Sequence, residues 1–185
     1  MVSIPNLITL ARLLAVPVII ALLVDGQYAL VLVLFVLAGL SDAVDGYIAK
    51  RFDSATALGA YLDPLADKAL LVSIFVTLGI LGHLQVWLVI LAVSRDILII
   101  GAVVLSFLIG HPLRIAPLLI SKLNTVMQIV LAGFAIAVLA FPAFGSLPVL
   151  TVENLTFAVA VTTILSGGSY LYMWYRSISR WEGAQ

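Results

Sequence analysis

Six apolar runs constrain this chain more than any other feature. They cover residues 6–24, 29–50, 63–81, 86–108, 118–140 and 153–175, each about long enough to cross a hydrocarbon core of about 30 Å as a helix. Inside hydrocarbon every backbone N–H and C=O needs a partner within the protein, and a helix supplies one from the segment itself. The connections between runs are short. The pattern therefore predicts an all-α, polytopic membrane protein, a single domain over residues 1–185 folded as one six-helix transmembrane bundle. Composition agrees, with 64% hydrophobic and only 10% charged residues and a mean hydropathy of +1.26, outside the ordinary soluble range. The net charge of zero gives no bulk attraction for nucleic acid. Cysteine is absent, which excludes disulfides, thiol nucleophiles and zinc–thiolate sites.

Basic residues orient the helices. Lys50 and Arg51, His111 and Arg114, and Arg176 and Arg180 fall at successive ends on one side, while the loops near Asp25, His83 and 141–152 carry no Lys or Arg. Both termini are expected to be cytoplasmic. Tyr172, Trp174, Tyr175 and Trp181 suit an aromatic belt at the same interface. His83 and His111 fall in predicted loops without metal-ligand spacing and read as interfacial residues. The first run lacks a basic start and a small-residue cleavage site, and Arg12 interrupts it, so it reads as a retained helix. Pro5 suits its start, and Pro17 is expected to kink it or loosen one turn.

Against this background, four carboxylates stand out. Asp42, Asp45, Asp63 and Asp67 lie in or beside apolar runs, where each charge costs about 2.5–3.5 kcal/mol on insertion scales. Asp42 and Asp45 are three apart and Asp63 and Asp67 four apart, so each pair shares one face of its helix. Two such faces turned towards each other make an all-oxygen cage, the kind hard divalent cations such as Mg2+ prefer.

The stretch Asp42-x2-Asp45-Gly46-x2-Ala49-Lys50-x8-Gly59-x3-Asp63-x3-Asp67 resembles the signature of the CDP-alcohol phosphatidyltransferases. These integral membrane enzymes move a phosphatidyl group from CDP-diacylglycerol to an alcohol and release CMP. Seven of eight fixed positions agree; Lys50 stands where the family usually has Arg, which keeps the charge but loses bidentate geometry. The resemblance implies a two-metal site of Mg2+ or Mn2+ held by the four aspartates, with Asp67 also the general base. It implies donor contacts from Gly46, Ala49, Lys50, Thr56 and Gly59. Pro5-Asn6-Leu7-Ile8-Thr9 is similar to a family segment near the nucleotide, which would add Asn6 and Thr9; alternatively these two cap and solvate a helix end. A homodimer is implied on the same ground.

For the acceptor, the polar groups deeper in the chain are Arg95, Arg114, Lys122 and Asn124. Arg95 and Asp96 either form a structural ion pair or belong to a phosphate-binding cavity. Ser94-Arg95-Asp96 and Ser121-Lys122-Leu123-Asn124-Thr125 with Gln128 are similar to the branch of the family that makes cardiolipin. Relatives using glycerol 3-phosphate tend to carry a second Lys at the place of Asn124. Phosphatidylglycerol is therefore the expected acceptor and glycerol 3-phosphate the alternative. A cation transporter is the reading from another class, since intramembrane carboxylates also mark ion paths. It is opposed by the clustering of the carboxylates at one end and by the lack of a polar path through the outer half. With no presequence ahead of the first helix, a bacterial inner membrane is the expected location.

Overall fold

The computed structural model describes the backbone of residues 4–51, 57–108, 118–144 and 147–182, and the side-chain surroundings of 9–41, 66–108, 118–143 and most of 151–179. Six α-helices and one short 3-10 turn, with no strand, make up the described residues. The helices are α1 (Ile4–Val24), α2 (Tyr28–Arg51), α3 (Ala57–Ile80), α4 (Val86–Leu108), α5 (Leu119–Ala140) and α6 (Leu147–Glu182). Each coincides with one of the six apolar runs or covers all but one residue of it, as the all-α expectation requires. Among the described residues, three helical segments are long and apolar enough to cross a membrane: Val86–Leu108, Leu119–Ala140 and Thr151–Arg176. α1 runs as one helix through Pro17.

Glycine ends α1 and α3 by the same device. Gly26 and Gly82 adopt φ of 73° and 77°, a left-handed conformation that costs other residues about 1–2 kcal/mol. At the end of α1, Gly26 N–H donates to Leu23 O and Gln27 N–H to Leu22 O; at the end of α3, Gly82 N–H donates to Gly79 O and His83 N–H to Leu78 O. These are the paired bonds that close a helix C-terminus and satisfy its last carbonyls.

The chain divides into two compact units, residues 1–84 with 132–150, and 85–131 with 151–185. In the first, α1 packs against both α2 and α3, around Ile19, Leu23, Val31, Ile74, Phe75 and Leu78. Tyr28 Oη and His83 Nε2 are hydrogen-bonded at 3.0 Å, with their rings edge to face. That contact puts the α1–α2 and α3–α4 turns at one end of the unit. A cavity of about 270 Å³ lined by residues 26–30, Leu139 and Ala140 adds the end of α5 to that group. These are the ends that lack Lys and Arg, and the C-terminal half of α2 and the start of α3, which carry the aspartates, lie toward the other end.

Among the described residues of the second unit, the exposed positions are mostly apolar, and the buried ones mix polar side chains with Leu88, Val89, Leu131 and Val159. α4 exposes Ile90, Ile97, Ile100, Val104 and Phe107 while burying Ala92, Arg95, Asp96 and Ser106. On α6, Thr156, Val159, Thr163, Ser166 and Tyr170 are buried, an alternation of three and four residues that keeps one seam facing inwards. α5 buries Asn124 and Gln128 one turn apart. Between apolar helices in lipid the hydrophobic effect gives no preference for association, so close packing and interhelical hydrogen bonds hold them together. The seam supplies those bonds. Near its end, Trp174 Nε1 donates to Ser106 Oγ at 3.1 Å, with Tyr172 and Tyr175 exposed beside it.

Candidate active site

The helix bounds set the register of the signature. α2 carries Asp42, Asp45, Gly46, Ala49 and Lys50 on one uninterrupted helix, and at 100° per residue Asp42 and Asp45 are about 60° apart around its axis. α3 begins at Ala57, six residues earlier than its apolar run predicts. Gly59 is therefore helical, and Gly59, Asp63 and Asp67 recur every fourth residue along one stripe. The side chains of Asn6, Asp42, Asp45, Ala49, Lys50 and Asp63 lie outside the described residues, as do Thr56, His111 and Arg114 altogether.

Asp67 is the member of the quartet whose surroundings are described. Its Oδ1 accepts a hydrogen bond from Arg12 Nη1 at 2.6 Å, across 55 residues of sequence. The Arg12 side chain is only 3% exposed, whereas that of Asp67 is 44% exposed. A carboxylate beside the guanidinium offsets the desolvation of a charge placed in an apolar helix. Thr9 lies three residues before Arg12 and is buried on the same side of α1. The sequence reading used Arg12 only as an interruption of the first apolar run. The available signal was an Arg at mid-helix, which in lipid demands a partner; what the sequence lacked was the partner's name. The donor set on α2 and α3, four carboxylates and no nitrogen or sulfur ligand, fits hard divalent cations.

In the second unit Arg95 is fully engaged. Nη1 donates to Asp96 Oδ1 at 2.8 Å, Nε donates to Ser166 Oγ at 3.2 Å, and Nη2 bonds the hydroxyls of Ser121 and Ser166. Its guanidinium carbon lies 5.8 Å from the centroid of the Tyr170 ring, within cation–π range. Of the two roles the sequence left open for Arg95 and Asp96, the ion pair is the one the geometry displays. Lys122 is exposed. Asn124, three residues beyond Ser121, is fully buried, and its Oδ1 accepts from Thr162 Oγ1 at 2.9 Å and Thr163 Oγ1 at 2.8 Å. Its Nδ2 is buried without a hydrogen-bond partner among the described residues. Thr163 has no other bond among those residues; its hydroxyl proton needs an acceptor, which fixes Oδ1 on the threonine side of the amide. Gln128, singled out in the sequence beside the Ser121–Thr125 run, and Thr156, which was not, extend the buried polar seam along α5 and α6.

Comparison with known proteins agrees with the signature. The family described as CDP-alcohol phosphatidyltransferase matches residues 2–168. The chain is similar to the rat protein named "Cardiolipin synthase (CMP-forming)", with 32% identity over 98% of this chain and 64% of that one. It is 35% identical to the "Cardiolipin synthase (CMP-forming) / mitochondrial hydrolase fusion protein" of Schizosaccharomyces pombe, over 91% of this chain and 30% of the fusion. It is also 32% identical to the CDP-diacylglycerol-glycerol-3-phosphate 3-phosphatidyltransferase of Rickettsia bellii, over 91% of this chain and 93% of that one. The chain thus spans less than two thirds of the two cardiolipin synthases. A family match over nearly the whole chain, with the aspartate signature carried on two helices that both pack against α1, makes this chain a member of the CDP-alcohol phosphatidyltransferase family.

Proposed function

We propose that this chain moves a phosphatidyl group from CDP-diacylglycerol to phosphatidylglycerol, forming cardiolipin and releasing CMP. The observation that carries the choice of acceptor is the neutral, buried Asn124, with an unpaired amide donor. Arg95 is neutralised by Asp96 and Lys122 is exposed, so the described interior of the second unit offers an amide in place of an uncommitted cation. A single-charge phosphodiester suits that environment better than the nearly dianionic phosphate of glycerol 3-phosphate, whose second pKa is about 6. The names of the rat and fission-yeast relatives favour the same acceptor. Glycerol 3-phosphate is the second reading, favoured by the Rickettsia relative, which this chain matches over 93% of its length.

In the proposed reaction a hydroxyl oxygen of the acceptor attacks the phosphatidyl phosphorus. The bond from that phosphorus to the bridging oxygen of CMP breaks, and the hydroxyl proton passes to Asp67. Asp42, Asp45, Asp63 and Asp67 would hold two Mg2+ or Mn2+ ions, which when bound supply charge neutralisation to the diphosphate. The remaining work is positioning and electrostatics. Asn6, Thr9, Gly46, Ala49, Lys50, Thr56 and Gly59 would line the donor, Lys50 by charge and the glycines by allowing close backbone approach. Arg114, Lys122 and Asn124 would face the acceptor, with Arg95 holding Ser121 and α6 in place. The proposal extends to a homodimer in a bacterial inner membrane with the aspartates and both termini facing the cytoplasm; the distribution of Lys and Arg supports that orientation.

The test is an acceptor screen with radiolabelled CDP-diacylglycerol and detergent-solubilised protein. Labelled cardiolipin with phosphatidylglycerol is the expected product. Product with glycerol 3-phosphate alone would replace the acceptor and leave the transferase reading intact.

A further inference from the structure

We propose that Thr163 is a positioning residue for acceptor binding: its hydroxyl holds the oxygen side of the Asn124 amide against α6, so that the N–H side is the one offered to a phosphate oxygen of the acceptor. The inference rests on the reading of Asn124 as an acceptor contact.

Three observations carry it. First, the amide is committed at one end only. Oδ1 accepts from Thr162 Oγ1 at 2.9 Å and from Thr163 Oγ1 at 2.8 Å, whereas Nδ2 is buried without a partner among the described residues. A tie between α5 and α6 needs only the oxygen. The N–H side adds the cost of a buried, unpaired donor, which one further oxygen would remove. Second, the two threonines are not equivalent. Thr162 Oγ1 also lies 3.1 Å from Ala158 O and 3.0 Å from Val159 O on its own helix, so its proton has an outlet whichever way the amide faces. For Thr163 the carbonyl one turn back is that same Val159 O, which already takes the helical N–H of Thr163 and lies within reach of the Thr162 hydroxyl. A carbonyl oxygen has two lone pairs. That leaves Asn124 Oδ1 as the outlet for the Thr163 proton, at a position only 1% exposed and so out of reach of bulk water. Third, the direction of the amide matters to an anion. Its N–H donates to a phosphate oxygen in a charge-assisted bond, and a flipped amide would turn its own oxygen towards that charge. Nδ2 is covered in this structure, so an incoming oxygen displaces a neighbouring side chain, a rotamer change of the kind common at binding surfaces.

The test uses Thr163→Val, Thr163→Ser, Thr162→Val and Asn124→Ala in the full chain, purified in detergent. Measured quantities are acceptor KM, KM for CDP-diacylglycerol and melting temperature, with phosphatidylglycerol and glycerol 3-phosphate as separate acceptors. Thr163→Val should raise acceptor KM by about 10-fold, the scale of one hydrogen bond to a charged group, at unchanged donor KM. Thr163→Ser restores a hydroxyl and should recover most of that loss. Thr162→Val leaves the Thr163 bond in place and should keep acceptor KM close to the parent's. A threonine that only ties α5 to α6 would lower the melting temperature and move both KM values together. That result, or the same acceptor KM in Thr163→Val and Thr162→Val, would overturn the proposal. Asn124→Ala separates the two claims. A parental acceptor KM there would remove the acceptor reading of Asn124 and this inference with it. A raised acceptor KM in Asn124→Ala beside a parental one in Thr163→Val would sink the positioning role alone. Turnover with glycerol 3-phosphate alone would replace the proposed acceptor, and the difference between the two threonine variants would then be read on its KM, with the same outcomes deciding.

Discussion

Asn124 and Thr163 lie 39 residues apart in sequence, and their side chains meet at 2.8 Å in the buried seam between α5 and α6. Thr162 bonds the same amide oxygen, but its hydroxyl also lies within bonding distance of Ala158 O and Val159 O on its own helix. Thr163 has no such second outlet among the described residues. Thr163→Val should therefore destabilise the protein by about 1 kcal/mol, the net worth of a buried hydrogen bond, and Thr162→Val by less. Unfolding of both variants in the same detergent checks the order. Equal losses would mean that the amide does not discriminate between the two hydroxyls.

Asn124→Lys places an ammonium where the protein now has a neutral amide. The ratio of glycerol 3-phosphate to phosphatidylglycerol turnover should rise by about 10-fold, equivalent to about 1.4 kcal/mol of preference for the more highly charged acceptor. Competition between the two acceptors in one reaction measures that ratio directly. An unchanged ratio would take Asn124 out of acceptor selection.

Arg95 holds α4 against the seam through Asp96, Ser121 and Ser166. Arg95→Met removes the guanidinium and leaves the Asp96 charge buried beside an apolar chain. Breaking a buried pair from one side costs about 3–5 kcal/mol. Arg95→Met with Asp96→Leu should recover part of the loss, because no charge is then stranded. Melting temperatures of the single and double variants test this. A double variant less stable than Arg95→Met would contradict the pairing.

Gly82 ends α3 with φ of 77°. Gly82→Ala should cost about 1 kcal/mol through backbone strain alone, without changing donor KM, since the turn lies at the end of the first unit away from the aspartates. A changed KM with unchanged stability would contradict that separation.

Much of this was legible in the sequence, and the misses have physical causes. Apolar runs locate spans well because lipid tolerates little else, so α2, α4 and α5 begin and end within one residue of their runs. Helix ends are another matter. The apolar run placed the start of α3 at Asp63, where Pro64 also suits a first turn, yet Ala57, Leu58, Ala60 and Leu62 are good helix formers and carry the helix back through Gly59. α6 extends from Leu147 to Glu182, past the apolar run at both ends, because hydropathy reports what meets lipid and not where hydrogen bonding stops. The aspartate quartet could be seen because its spacing is local. Arg12 could not be paired, since its partner lies 55 residues away on another helix. The Arg95–Asp96 contact was visible as adjacent charges, but the serines and the tyrosine that complete it come from α5 and α6. Such long-range polar contacts have no signature in periodicity.

The central claim is that the aspartates on α2 and α3 do their chemistry with divalent cations on a CDP-linked lipid. Metal-stripped protein should therefore release no CMP from CDP-diacylglycerol and phosphatidylglycerol. Release should return on titration with Mg2+ or Mn2+, and only while acceptor is present. Full CMP release by protein held in excess chelator would contradict it.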